Sequence, residues 1–472
     1  MAVARGSWLK LSSVRLLLVS TYELGHQPLH VASPAARLLE EGHEVRCLDL
    51  AIETWDWSRL EWADAVAFSV PMHTAMRLAV SVAEEVRQSH PSMPIAFYGL
   101  YAAASSDRIV GKLAERVIVG EYEDELVAWA KFDRSDFAKS QEPAVRVDLG
   151  TKRFRRPARH LLPPLDRYAH LRVGTETRLA GYVEASHGCR HRCRHCPIPA
   201  VYDGRFRVTG LDTVLGDVEQ LVAAGARHIT FGDPDFLNAP RYALDVVKAV
   251  NGSFPHLTFD LTVKVEHVLE HRDVWPTLAR QNVLFVVSAF ETTNDRVLRI
   301  LDKGHTRSDL GEAVRILRAA GVHVRPSWMP FTPWTEAQDL QSILRFLDDH
   351  DLMASVDPVQ LSIRLLVPEG SLLLAHPEMD AHLDGYDPES LSYRWMSSDP
   401  AMDVLQGDLA LLVEQGIDNR NSTIEAIWEL VMGERCQLRW AVDQIPALTE
   451  SWFCCAEPTA LQREMVSLTR QP

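Results

Sequence analysis

Tyr182-Val-Glu-Ala-Ser-His-Gly-Cys-Arg-His-Arg-Cys-Arg-His-Cys196 is the stretch that decides how this chain folds. Its first five residues, YVEAS (182–186), form a largely apolar run of strand length. The polar stretch that follows carries Cys189, Cys193 and Cys196 at C-x3-C-x2-C spacing. Strand-like runs recur downstream at HITF (228–231), FDLTV (259–263), VLFVVSAF (283–290), VHVRPSW (322–328) and VQLSIRL (359–365). Helical segments lie between them, for example 211–224 and 335–348. Parallel strands need long crossovers, and helices supply them, so six βα units in series predict a partial (β/α)6 barrel over 179–370. Functional groups of such barrels sit in loops at the carboxyl ends of strands, where this triplet falls. Three thiolates suit an iron–sulfur cluster or zinc. A structural zinc site takes four ligands, usually as two pairs, and no second pair is nearby.

Upstream, VRLLLV (14–19), VRCLDL (45–50), AVAFSV (65–70), PIAFYG (94–99) and RVIVG (116–120) alternate with helical segments. Continuous apolar strands of this kind are buried on both faces, which predicts a doubly wound α/β domain over 1–133. Ser33-Pro34 is expected to open its first helix as N-cap and first-turn proline. Residues 134–178, with the basic run Lys152-Arg-Phe-Arg-Arg156, read as a linker that wraps rather than folds alone. Residues 371–472 form a mixed C-terminal region containing Trp395, Trp428, Trp440 and Trp452.

The 472 residues are 46% hydrophobic and 24% charged, an ordinary globular composition. No run approaches the ~20 apolar residues of a membrane span. Leu16–Val19 is too short for a signal-peptide core. The net charge of −15 argues against a nucleic-acid surface. Seven cysteines without a secretion signal do not read as a disulfide framework. The expectation is a cytoplasmic protein with neither membrane nor nucleic acid as partner.

The triplet resembles that of the radical S-adenosylmethionine (SAM) superfamily. The resemblance implies that Cys189, Cys193 and Cys196 hold a [4Fe–4S] cluster with one open iron. It further implies SAM as the ligand of that iron and an electron donor such as flavodoxin or ferredoxin. His195 stands where the family usually has an aromatic residue. Gly232-Asp233-Pro234 stands in place of the glycine-rich motif for the methionine amino group, with Asp for Glu and one glycine. Glu291 stands where many members have an acidic cofactor contact. Asp295–Leu298 and Lys303–Thr306 resemble a stretch of cobalamin-type members. Ser327 and Arg364 are candidate carboxylate or ribose contacts.

Residues 14–130 resemble the cobalamin-binding domains fused to many radical enzymes. The resemblance rests on Glu41–Val45, Ser69–His73, Tyr98–Ala102 and Val119–Glu121. It implies a cobalamin site near Met72, His73, Tyr98 and Tyr101. The lower-ligand Asp-x-His-x-x-Gly motif is absent, and His26 and His30 are the candidates to act in its place. The tail Cys454-Cys455-Ala-Glu-Pro458 resembles the Cys-Cys-Ala-Glu-Pro tail of a small radical SAM family. Adjacent thiols read as a soft-ligand clamp or redox pair, with Cys436 as a candidate third ligand.

Three readings follow. In the first, Cys454 and Cys455 hold a metalloid such as trivalent arsenic, and SAM gives it a 3-amino-3-carboxypropyl group. This is similar to the radical enzymes of arsinothricin-type pathways. In the second, cobalamin carries a methyl group to a carbon of a small molecule. In the third, the chain is a corrin or redox sensor without a small substrate.

Overall fold

The computed structural model describes residues 13–131, 144–150, 153–416, 419–436, 445–450 and 457–467. Two sheets organise them. The first contains β1 (Arg15–Ser20), β2 (Glu44–Asp49), β3 (Ala65–Ser69), β4 (Ile95–Tyr98), β5 (Arg116–Gly120) and β6 (Val145–Asp148). Its order is β2-β1-β3-β4-β5-β6, and every pair is parallel. The strands are buried on both faces, as their unbroken apolar runs require. The sixth strand comes from the segment read as a linker, which therefore takes part in the sheet.

The first helix departs from expectation. It runs Leu29–Glu40 and carries Pro34 inside rather than at its start. Pro34 has no N–H to offer the carbonyl of His30. That carbonyl instead accepts a hydrogen bond from Tyr98 Oη at 3.0 Å, so tertiary contact replaces the lost helical bond.

The second sheet contains β7 (His170–Val173), β8 (Glu176–Val183), β11 (His228–Phe231), β12 (Thr258–Thr262), β13 (Val283–Glu291), β14 (His323–Trp328) and β17 (Ala447–Leu448). Its order is β14-β13-β12-β11-β8-β7-β17. The five strands from β8 to β14 are parallel, while β7 and β17 add antiparallel edges. This curled sheet with outer helices is a half-barrel. The sixth expected strand is reduced to a 3-10 turn, Pro358–Leu361, and one bridge between Phe331 and Arg364. Pro358 cannot donate to a ladder. Gln360 takes over by its side chain, whose Oε1 accepts from the edge N–H of Trp328 at 3.1 Å.

Between β8 and β11 a short antiparallel pair, β9 (Ser186–Gly188) with β10 (Phe206–Val208), closes the base of the cysteine loop. Gly188 has φ +75°, and a Cβ there would run into the Arg205 carbonyl. The hairpin β15 (Leu383–Asp387) and β16 (Ser392–Trp395) packs on the segment after the 3-10 turn, where Trp395 Nε1 donates to the Leu365 carbonyl at 2.8 Å. Helices Pro400–Gln415 and Arg420–Met432 follow it, and helix Ala460–Val466 packs on helix His73–Ser89 of the first sheet. Among the described residues no helix is long and apolar enough to cross a membrane.

Arg159 ties the two sheets together. Its guanidinium donates to both carboxylate oxygens of Asp217 at 2.9 and 2.8 Å, to the Gln27 carbonyl at 3.2 Å and to the Tyr182 carbonyl at 2.6 Å.

Candidate active site

Strand-end loops of both sheets face one another across a cavity of about 370 Å³. Pro71, Met72, Gly99, Leu100, Tyr101 and Gly120 supply the wall from the first sheet. Cys189, Cys193 and Cys196 stand on the opposite side. Of the expected cobalamin contacts, Met72 and Tyr101 line the cavity. Tyr98 does not: it is fully buried beneath the wall because its hydroxyl serves the His30 carbonyl. His73 does not either. Its Nε2 lies 2.9 Å from Glu457 Oε1, drawn aside by a carboxylate that also pairs with Arg77 at 2.6 Å.

Cys189 and Cys193 are buried and Cys196 is partly so. Burial pushes the Cys189 and Cys196 thiols up, and the neighbouring sulfurs push in the same direction. Such thiols ionise only against added positive charge, which a metal cluster brings. Asn238 steadies the loop from outside, accepting from Arg190 N at 3.1 Å with its amide 3.6 Å from Cys189 Sγ.

His195, Glu291 and Lys303 meet beside the cysteines. Glu291 Oε1 lies 3.2 Å from His195 Nε2 and accepts from Lys303 Nζ at 2.9 Å. Burial alone would raise the Glu291 carboxyl, but Lys303 and His195 hold it well below the usual range. Glu291 also has φ +62°, a left-handed conformation costing a non-glycine residue about 1–3 kcal/mol. His195 Nδ1 is buried without a partner. A strained acid and an orphaned ring nitrogen on one cavity wall are what a bound polar cofactor would satisfy.

Gly232, Asp233 and Pro234 line the cavity. The Tyr182 ring occupies the space of a Gly232 Cβ. Asp233 accepts from Ser186 Oγ and from Ala185 N, and burial pushes its carboxyl up to about 7. Ser327 lines the cavity at the end of β14. Arg364 does not reach it, which corrects the expectation for that residue. It lies 3.5 Å over the Trp395 ring and 2.5 Å from Asp403, because its segment is a covering loop rather than a barrel strand.

The other side wall escaped the sequence reading. Glu184, just past β8, lies 3.3 Å from His30 Nε2 and 3.4 Å from His187 Nε2, and accepts from Tyr182 Oη at 2.8 Å. The two histidines hold it down to about 2, against its burial. His30 Nδ1 meets Tyr122 Oη at 2.8 Å, so both ring nitrogens of His30 are engaged. His26 packs on Tyr182, the rings tilted by 30° with centroids 4.8 Å apart, and lies outside the cavity wall. Neither histidine is presented as a cobalt ligand, whereas the first-sheet wall, apolar and glycine-rich, suits the flat face of a corrin. The signal for Glu184 was its position one residue past a barrel strand.

Cys454 and Cys455 lie outside the described residues. Glu450 and Glu457, on either side of that segment, are tied to the first domain. Tyr22 Oη donates to Glu450 at 2.9 Å, and Glu457 holds His73 and Arg77. Cys436 packs against the half-barrel core.

The Radical SAM superfamily profile matches residues 183–347. A ribosomal protein uS12 methylthiotransferase RimO of Parabacteroides distasonis is 26% identical over 192 residues, 38% of this chain and 43% of that protein. A hopanoid C-2 methylase of Rhodopseudomonas palustris is 23% identical over 309 residues, 61% of this chain and 53% of that protein. The chain thus spans about half or less of these curated relatives. Among solved structures, the cobalamin-dependent SAM radical enzyme OxsB with aqua-cobalamin bound superposes with TM-score 0.66 at 13% identity, over 86% of this chain and 68% of that one. The radical SAM methyltransferase TsrM from Kitasatospora setae, with tryptophan and a SAM analog bound, gives TM-score 0.63 at 15% identity, over 86% and 90%. Sequence profile and fold agree with the cysteine geometry, and the cofactors that follow are a [4Fe–4S] cluster and SAM. The sensor reading is set aside, because residues 183–347 match the Radical SAM superfamily and the relatives that the chain resembles are enzymes.

Proposed function

We propose that this protein is a cobalamin-dependent radical SAM methyltransferase acting on a carbon of a small molecule. The observation that carries this reading is the shared cavity: the cluster loop faces the strand-end loops of a cobalamin-domain-like sheet across about 370 Å³. When bound, the cluster on Cys189, Cys193 and Cys196 supplies the electron that splits a carbon–sulfur bond of SAM, and cobalamin supplies a methyl carrier.

The chain's own residues bind and orient. Glu291, kept ionised by Lys303, and the open Nδ1 of His195 receive polar groups of SAM beside the cysteines. Asp233 closes β8 against the loop after β11 and presents Pro234 to the cavity. Met72 and Tyr101 offer an apolar face that excludes water and against which a corrin would lie. An electron donor of the flavodoxin or ferredoxin type completes the system.

The two anchored glutamates support a second reading. Glu450 and Glu457 fasten both ends of the Cys454-Cys455 segment to the first domain, and His73 adjoins Met72 of the cavity wall. On this reading the thiols hold trivalent arsenic, and the product is an aminocarboxypropyl arsenical. One experiment separates the two. Reduced, reconstituted enzyme is given SAM with and without cobalamin, and the SAM-derived products are identified. S-Adenosylhomocysteine together with 5′-deoxyadenosine, dependent on cobalamin, supports methyl transfer. 5′-Methylthioadenosine that ignores cobalamin overturns it in favour of the second reading.

A further inference from the structure

Four side chains outside the cysteine triplet form an unbroken chain into the cluster loop. Lys264 Nζ lies 3.0 Å from His191 Nδ1, and His191 Nε2 lies 3.1 Å from His267 Nε2. His267 Nδ1 then lies 2.8 Å from Asp235 Oδ2. Lys264 sits just past β12, Asp235 just past β11, and His191 midway between Cys189 and Cys193.

Donor and acceptor roles follow from chemistry. An ammonium only donates, so His191 Nδ1 accepts and its proton sits on Nε2. That proton faces His267 Nε2, which leaves the His267 proton on Nδ1, toward Asp235. The last contact is a close ion-pair approach rather than an aligned hydrogen bond, since neither atom finds a hydrogen-bond partner. The far end is anchored twice. Asp235 Oδ1 accepts from Leu237 N at 3.0 Å, and Asn238 Nδ2 donates to the Asp235 carbonyl at 2.9 Å. The same Asn238 accepts from Arg190 N at 3.1 Å. Consecutive residues of the cysteine loop, Arg190 by its backbone and His191 by its ring, are therefore held from one segment.

The charges are unevenly placed. Lys264 pairs with Glu266 at 2.8 Å, and Asp235 lies fully buried at the other end. Without the lysine, two carboxylates would face the loop unopposed.

We propose that Lys264, His191, His267 and Asp235 form one positioning device that holds the Cys189–Cys193 turn in ligating geometry and sets the charge felt by the cluster. The proposal rests on the reading that this triplet holds a [4Fe–4S] cluster. Partners one shell beyond the ligands typically change metal-site properties 10- to 100-fold.

The test uses the full chain reconstituted as wild type, Lys264→Met, Lys264→Arg and His267→Phe. Iron and sulfide content and an EPR-monitored redox titration are measured for each. The expected result is four irons in every protein and a reduction equilibrium about tenfold less favourable in Lys264→Met. Tenfold is 59 mV for a one-electron couple. Lys264→Arg should restore the wild-type value, and His267→Phe should broaden the EPR signal by freeing His191. Unshifted potentials and unchanged signals in both Lys264→Met and His267→Phe, with four irons present, overturn the proposal. So does uptake of one cobalt(II) ion by a cluster-free triple cysteine-to-alanine protein, lost on adding His267→Phe, since the group would then be a mononuclear metal site. Failure of the wild type to assemble any cluster would instead overturn the functional reading beneath it.

Discussion

Replacing Arg159 by Met removes the cation from a pair in which both side chains are almost wholly buried, 6% and 3% exposed. The pair is bidentate, with N···O distances of 2.9 and 2.8 Å. Breaking a buried pair by removing one partner costs about 3–5 kcal/mol, because the remaining charge is left without compensation. The carbonyls of Gln27 and Tyr182 lose their donor as well. Against a typical total of 5–15 kcal/mol, the expected loss of about 4 kcal/mol is large. Urea unfolding followed by tryptophan fluorescence reads it, with Trp129 reporting on the first sheet and Trp275 and Trp328 on the half-barrel. The two sheets share this residue, so the expected trace splits, with the first sheet leaving early. Arg159→Met combined with Asp217→Leu should regain most of the lost stability, since apolar replacement of a buried pair is often neutral or better. A single variant within about 1 kcal/mol of wild type would refute the reasoning, because it would mean that Asp217 reaches water or another cation.

Substituting any one of Cys189, Cys193 and Cys196 by Ala should abolish the visible absorbance of the cluster and all SAM cleavage; retained absorbance would exclude that residue as a ligand. Gly232→Ala should cost about 1–3 kcal/mol in a thermal or urea melt, because its Cβ would overlap the Tyr182 ring; an unperturbed melt would show that the ring moves freely. His30 is pushed up to about 9, with Glu184 and Glu23 overcoming its burial and the opposing charge of His187. Its contribution is full below about pH 6.5 and fades as the pH climbs through 9, so the melting-temperature gap between wild type and His30→Gln should narrow over that range; a constant gap would refute it.

The parallel strands of both sheets were legible because each is a short apolar run between helical segments, and the cysteine triplet because its spacing is local. What was not legible depends on partners far away in sequence. Pro34 read as a helix start, yet Tyr98 makes it tolerable inside the helix by serving the freed His30 carbonyl. VQLSIRL alternates like a strand, but Pro358 and the Gln360 side chain turn it into a cover, which also carries Arg364 away from the cavity. His73 stood correctly at a strand end, but Glu457, 384 residues on, claims its ring. Lys264 and Glu184 gave only their positions just past strands, because their partners come from other loops and from the other domain.

Glu23 and Glu184 show how the domain contact sets the chemistry of the cavity wall. Both glutamates lie close to His30, Glu23 buried and Glu184 nearly so. Glu184 lies between His30 and His187 and receives the Tyr182 hydroxyl, and it is held down to about 2. Glu23 has only the His30 backbone N–H at 3.4 Å and an orphaned Oε1, and burial pushes it up to about 7. At pH 7 the first is a full anion between two cations, while the second is half neutral already. Glutamine keeps the shape of both and removes the charge of both. Glu184→Gln then takes from His30 the carboxylate on its Nε2, while His187 keeps Glu121 at 3.0 Å, and should cost about 3 kcal/mol. Glu23→Gln replaces a carboxyl that is already partly protonated and should cost less than about 1 kcal/mol. Urea unfolding of the two variants at pH 7 compares them directly. Equal costs would mean that the histidines do not hold Glu184 ionised, and the contact between the two domains would then have to rest on packing rather than on charge.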